Sequence, residues 1–193
     1  VTPIAYIRLM DFNDTTASQF ADALAAGRED RAHGYIVDVR NNGGGELSSI
    51  LEILDMLLPE GPIVRIQYKD GTEQVYESDA NEFKAPMVVL ANSNTASAAE
   101  LFVSALKDYQ RAVVVGTVTY GKGTVQSLIP FEDGSALRIS TSMYAPPYSD
   151  NYEGIGVTPD IESELDEQYR GINLFKLAHD NDAQLQAALA LYK

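Results

Sequence analysis

Tyr35-Ile36-Val37-Asp38-Val39 is a nearly continuous run of apolar β-formers that leads straight into Arg40-Asn41-Asn42-Gly43-Gly44-Gly45. A run without apolar–polar alternation is the pattern of a strand buried on both faces, as in a parallel sheet covered by helices. Two further runs share it: Met87 to Ala91, which ends at Asn92-Ser93-Asn94-Thr95-Ala96-Ser97, and Ala112 to Val115, followed by Gly116 to Gly123.

The segments between these runs complete the pattern. Val1 to Leu9 alternates around Ile4, Tyr6 and Ile7 and reads as a strand, and the polar stretch Asp11 to Thr16 supplies helix-start chemistry. Phe20, Leu24 and the alanines between them form a helix that is expected to stop at Gly27. Leu47, Ile50, Leu51, Leu54, Leu57 and Leu58 follow at helical spacing, ended by Pro59-Glu60-Gly61-Pro62. Ala98 to Tyr109 is an apolar, alanine-rich helix. Ile63 to Tyr68 and Glu73 to Glu77 make a β-hairpin around Lys69-Asp70-Gly71-Thr72, and Thr124 to Ile129 and Ala136 to Ser142 a second around Glu132-Asp133-Gly134. A loop rich in Pro, Tyr and Asp, from Tyr144 to Asp160, precedes a last helix from about Asp182 to Leu191. Strand, helix, strand, helix, strand in this order describes an α/β core whose ligand site belongs at the carboxyl ends of a parallel sheet. The three turns that follow the buried strands should therefore converge.

Composition narrows the chemistry. The 193 residues are 45% apolar and 22% charged, ordinary values for a folded domain. No run approaches the roughly 18 to 20 apolar residues that span a bilayer, and Val1 opens no charged-then-apolar leader. A soluble chain is expected, with any targeting segment removed or outside it. The 28 Asp and Glu against 14 Lys and Arg give a net charge of −14, and the basic residues are scattered, which argues against nucleic acid or an anionic membrane surface as partner. With no cysteine and two histidines, His33 and His179, the sequence offers no disulfide, no thiol nucleophile and no Cys-based metal site, and nearly excludes a His-rich one. No metal and no cofactor are expected, and a hydrolase built here would draw its general base from elsewhere than histidine.

Three features could carry chemistry. Ser97 stands where a strand turns into a helix, whose amino terminus offers unpaired N–H groups to negative charge; taken alone, a helix N-cap is the plainer reading. Lys122 lies between Gly121 and Gly123, placed to reach into a crevice where lost hydration disfavours the charged form and leaves an amine able to take a proton; a solvated turn lysine is the plainer reading. A neutral amine in so acidic a chain needs shielding from carboxylates. Gly43-Gly44-Gly45 lets backbone N–H groups approach a ligand closely, as an oxyanion hole requires, although a tight turn also uses glycine.

Gly34 to Gly45, Pro86 to Glu100, Arg111 to Gln126 and Gly154-Ile-Gly-Val-Thr-Pro-Asp-Ile161 resemble, in order, the motifs of the C-terminal (tail-specific) processing proteases, the S41 peptidase family. The resemblance runs from about Ile4 to Ile161 and implies a serine endopeptidase on a crotonase-like or Clp-like α/β spiral core. It makes Ser97 the nucleophile, three residues before Glu100, Lys122 the general base 25 residues later, and Gln126 the support of that lysine. The N–H of Ala98 and one from the Gly44-Gly45 pair would form the oxyanion hole. Family members often have Asn-Pro-Gly-Gly where this chain has Asn42-Gly43-Gly44-Gly45, and Gly-Ser-Ala-Ser where it has Asn94-Thr95-Ala96-Ser97; both changes keep small residues. A PDZ domain usually precedes the strand at Ile4 to Leu9, so an excised catalytic domain or a protein without that module is expected.

The resemblance also implies residues 1–165 as catalytic core with 166–193 a helical extension on the same domain, unfolded or C-terminally exposed polypeptide as substrate, and an extracytoplasmic location in periplasm or cell envelope. A homo-oligomer is left open. The Tyr144-Ala-Pro-Pro-Tyr148 loop would line a substrate groove or make a rigid surface connection, and the acidic runs Glu162 to Glu167 and Asp180 to Asp182 read as solvated caps and tail. Two rivals stand beside the protease: a catalytically weak relative that binds peptide tails, and a crotonase-type acyl-CoA enzyme.

Overall fold

The computed structural model describes residues 3–193, so the Val1 and Thr2 end of the expected first strand lies outside the described residues. Five parallel strands, β1 (Ile4–Arg8), β2 (Gly34–Asp38), β5 (Met87–Ala91), β6 (Val113–Gly116) and β9 (Ile161–Glu162), form one sheet in the order β1-β2-β5-β6-β9. A second, antiparallel sheet has the order β4-β3-β8-β7, from β3 (Gly61–Tyr68), β4 (Glu73–Ser78), β7 (Thr124–Pro130) and β8 (Ala136–Ala145). The expected α/β class, a mainly parallel sheet with β-hairpins and a C-terminal helix, is what the chain adopts.

Every residue of β2 and β5 is buried because the parallel sheet is covered on both faces. Tyr35, Val37, Val39, Met87 and Val89 pack with helices α1 (Thr16–Glu29), α2 (Leu47–Asp55) and α3 (Ala98–Asp108). Ile36, Val88 and Leu90 point the other way, into a small cluster with Leu185 and Ala188 of α4 (Ala183–Ala190). The period of two along each strand thus assigns one face to three helices and the other to one.

Several boundaries differ from the sequence reading, α2 for one ending at Asp55 rather than near Leu58, and three differences bear on packing. Helix α1 runs through Gly27 to Glu29. The glycine serves packing there: a Cβ on it would lie 2.6 Å from Cε1 of Tyr35, whose ring fills that notch. Strand β8 continues past Ser142 to Ala145 because Met143 to Ala145 pair with Gln67 to Arg65 of β3. Asp182 is not a solvated tail residue but 4% exposed: its Oδ1 accepts the Leu185 N–H at the start of α4, and both oxygens meet the buried Arg40 guanidinium. Beyond Gln126, the β7–β8 ribbon leaves the body of the molecule and exposes Leu128, Ile129, Leu137 and Ile139.

Candidate active site

The three turns converge through side-chain and backbone bonds. Asn41, with φ +62°, donates its N–H to Asn92 Oδ1 at 3.0 Å, while its own Oδ1 accepts from Asn92 Nδ2 and Asn94 Nδ2. Ala96 N–H reaches Asn42 O at 2.9 Å, and Thr95 Oγ1 donates to Val39 O. Tyr120 N–H, from the third turn, bonds Thr95 O at 3.0 Å. Asparagine and threonine suit these positions because their short polar side chains satisfy the backbone of the next turn.

Ser97 has φ +59° and ψ −123°, outside the β region that an ordinary N-cap adopts. A non-glycine residue there costs on the order of 1–3 kcal/mol and marks a sharp strand-to-helix turn of the kind that raises a serine hydroxyl above a sheet. The surroundings hold it in place. Its N–H donates to Glu100 Oε2 at 2.9 Å, and its carbonyl accepts from the Glu100 and Leu101 N–H groups. The Tyr152 hydroxyl, 3.4 Å from Ser97 O, has its pKa raised by burial and then by Glu100, and stays a donor.

Glu100 connects the serine turn to the lysine turn. Its carboxylate, fully buried, accepts four bonds: from Ser97 N–H and Lys122 N–H (2.7 Å) on Oε2, and from Thr119 Oγ1 (2.5 Å) and Gly121 N–H (2.6 Å) on Oε1. Thr119 Oγ1 in turn accepts the Val157 N–H at 2.7 Å. A buried carboxylate is tolerated when every lone pair finds a donor. Reading the sequence for chemistry missed Glu100 and Thr119 as functional parts, although Ser97-x-x-Glu100 carries the spacing of a capping box.

Lys122 is half-buried, and its Nζ meets Gln126 Oε1 at 3.4 Å, a long contact on the exposed side of β7. Among the described residues no hydrogen bond joins Ser97 Oγ to Lys122 Nζ. The acid nearest the lysine backbone is Glu100, whose oxygens are already occupied; Glu153 Oε2 takes the Gly123 N–H.

The glycine turn lies against the serine. Gly44 has φ +100°, and a Cβ there would fall 2.9 Å from Ala96 O, Ala98 N and Ser97 Cβ, so only glycine lets the chains approach this closely. Gly44 N–H is donated to Asn42 Oδ1 at 2.8 Å. The N–H groups of Gly45 and Ala98 have no hydrogen-bond partner among the described residues.

The other sequence candidates lie elsewhere. His33 and His179 are both exposed. In the Tyr144 to Tyr148 loop, Tyr144 is buried, while Tyr148 donates its N–H to Asp108 and its hydroxyl to Tyr109, docking the loop on the end of α3. A cavity of about 610 Å³ opens behind the asparagine network, between Asn41, Asn92, Thr117, Glu164 and Arg170, without reaching Ser97 or Lys122.

Comparison with known proteins shows what the chain is similar to. The model of the family described as "Peptidase family S41" matches residues 3–163. The carboxyl-terminal-processing protease of Synechocystis sp. is 38% identical over 191 residues, 97% of this chain and 43% of that protein. Carboxyl-terminal-processing peptidase 2, chloroplastic, of Arabidopsis thaliana is 38% identical over 160 residues, 81% of this chain and 31% of that protein. A solved structure of a photosystem II D1 C-terminal processing protease superimposes with a TM-score of 0.78 at 33% identity, covering 88% of this chain and 45% of that one. The chain therefore spans less than half the length of these relatives.

Proposed function

The chain belongs to peptidase family S41, and from that premise we propose that it carries a serine endopeptidase site in which Ser97 is the nucleophile and Lys122 the general base. The observation that supports this most is the shared acceptor, Glu100 Oε2. Two N–H groups on one oxygen cannot have their nitrogens farther apart than the sum of the two bond lengths, so the Ser97 and Lys122 backbones are neighbours although 25 residues separate them.

Lys122 Nζ takes the Ser97 Oγ proton as that oxygen attacks a peptide carbonyl, and passes it to the departing amine as the C–N bond breaks. The oxyanion is stabilised by backbone N–H groups of Ala98 and of the Gly44-Gly45 pair, in which Gly45 carries the free donor. Water then cleaves the acyl-enzyme: Lys122 takes its proton and returns it to Ser97 Oγ as the ester C–O bond breaks, and Gln126 Oε1 orients the amine throughout. The scheme uses no cofactor. The substrates are unfolded or C-terminally exposed polypeptides, cut in an extracytoplasmic compartment. Residues 1–165 form the catalytic core and 166–193 an extension seated on it. No helix among the described residues is long and apolar enough to cross a membrane.

Ser97→Ala and Lys122→Ala should each abolish cleavage of an unstructured polypeptide and labelling by a fluorophosphonate probe while the circular dichroism spectrum stays that of the parent. Full activity in either variant would sink the assignment. The long Lys122 contact and the missing Ser97–Lys122 bond favour, as a second reading, a relative that binds peptide tails without cutting them. Such a protein would retain peptide and ignore the probe.

A further inference from the structure

The mechanism leaves unused a buried ionic cluster at the root of the glycine turn. Because β2 alternates, Asp38 and Arg40 emerge on the α4 face of the sheet with Ile36, away from α1 to α3. Arg40 is 2% exposed, and all three guanidinium nitrogens are engaged. Nε and Nη2 bond Asp38, at 3.0 and 2.7 Å; Nη1 and Nη2 fork onto Asp182 Oδ1 and Oδ2, at 2.9 and 2.8 Å; Nη1 also reaches Gln184 Oε1 at 3.0 Å. Asp38 further accepts the Tyr6 hydroxyl at 2.6 Å and Arg40's own N–H at 2.9 Å.

Apolar residues could attach α4 to the sheet without the desolvation cost of three buried charges. What the fork adds is a fixed direction, since a planar guanidinium holds two carboxylates at set angles. That direction is imposed where the strand becomes the turn. Asn42 N–H bonds Val39 O at 3.2 Å, so Arg40 and Asn41 are the central pair of a turn, and the next residues place Gly44 against Ser97 and Gly45 against the Phe12 backbone.

We propose that Arg40 is a positioning residue for the oxyanion donors, and that the C-terminal helix takes part in catalysis through the Asp182–Arg40 fork. This rests on the Ser97 reading above. Arg40 touches no substrate in it; its effect passes along four or five residues of backbone to the Gly44-Gly45 pair.

The test uses the full chain, its acylation rate with a fluorophosphonate probe, KM for a peptide substrate, and the thermal midpoint. Asp182→Asn keeps a good N-cap for α4 but loses the charged fork, and Arg40→Lys keeps the charge but not the planar geometry. Each should lower the acylation rate about tenfold, the scale on which residues that orient a reactive group act, with KM unchanged and the midpoint within a few degrees. Leu185→Ala loosens α4 while leaving the fork's side chains in place, and should acylate like the parent once corrected for its folded fraction. Parent-like rates in Asp182→Asn and Arg40→Lys would overturn the proposal. So would a loss in Leu185→Ala equal to theirs at the same folded fraction. A parent protein that takes no probe removes the Ser97 reading, and this inference with it.

Discussion

Ser97 leaves a strand buried on both faces and enters a helix in which Ala98 to Leu106 are all buried, whereas Lys122 stands at the root of a ribbon whose outer residues lie in solvent. The serine side is fixed at its N–H, its carbonyl and its backbone angles. On the lysine side the backbone is fixed by Glu100, but the side chain has one long contact to an exposed glutamine. Positional accuracy is thus concentrated on the proposed nucleophile, and the proposed base is held mainly at its main chain.

The largest test of this contrast acts where its two halves meet. Glu100→Ala strips the acceptor from three backbone N–H groups and a hydroxyl at once. At about 1–3 kcal/mol per buried unsatisfied group, a loss of at least about 3 kcal/mol is expected in urea unfolding. A variant that unfolds no earlier than the parent would show that the carboxylate does not hold the turns together. Next comes Gly44→Ala, where the new methyl meets backbone on two sides at positive φ; the strain should cost about 1–3 kcal/mol and slow probe labelling. Gly43→Ala is its control, since nothing lies within 4 Å of the added carbon, and parent-like behaviour of both variants would mean the serine side is looser than described.

Smaller effects belong to the lysine side. Gln126→Ala should change stability by no more than about 0.5 kcal/mol, because the residue is exposed, while cleavage of a peptide falls several-fold. A greater loss of stability than of activity would reverse the contrast. Smallest of all, Leu128→Thr, out on the ribbon at 63% exposure, should leave the unfolding midpoint in place within about 0.5 kcal/mol.

The strands that fix the fold were legible because burial on both faces writes itself into consecutive residues such as Ile36-Val37 and Val88-Val89. Helix α1 was misjudged at its end because the use of Gly27 depends on Tyr35, which is close in space only after folding. The convergence of the three turns followed from strand order alone. Glu100 has a local sign in its spacing from Ser97, but that spacing does not reveal that the carboxylate also takes the N–H groups of a turn more than 20 residues on. Asp182 had no local sign: its partner Arg40 is 142 residues away, and an acidic residue before a C-terminal helix ordinarily faces water. Nor could composition tell which glycine keeps a free N–H, since that depends on the Asn42 side chain folding back over its own turn.

Asn42 carries one more consequence, for how the protein ages. An asparagine followed by glycine is the pair most prone to lose its amide, because no side chain hinders the next backbone nitrogen from attacking the carboxamide, and such residues are a thermal weakness. Here the Asn42 side chain is sealed from solvent, its Nδ2 bound to Leu9 O at 3.1 Å and its Oδ1 to the Gly44 N–H. The bonds that shape the turn therefore also protect it chemically for as long as the chain stays folded. Each unfolding event exposes the pair, and a molecule that refolds with aspartate there sets a carboxylate, which has no proton to give, against the Leu9 carbonyl. The same two hydrogen bonds that set the turn keep the Asn42 carboxamide engaged.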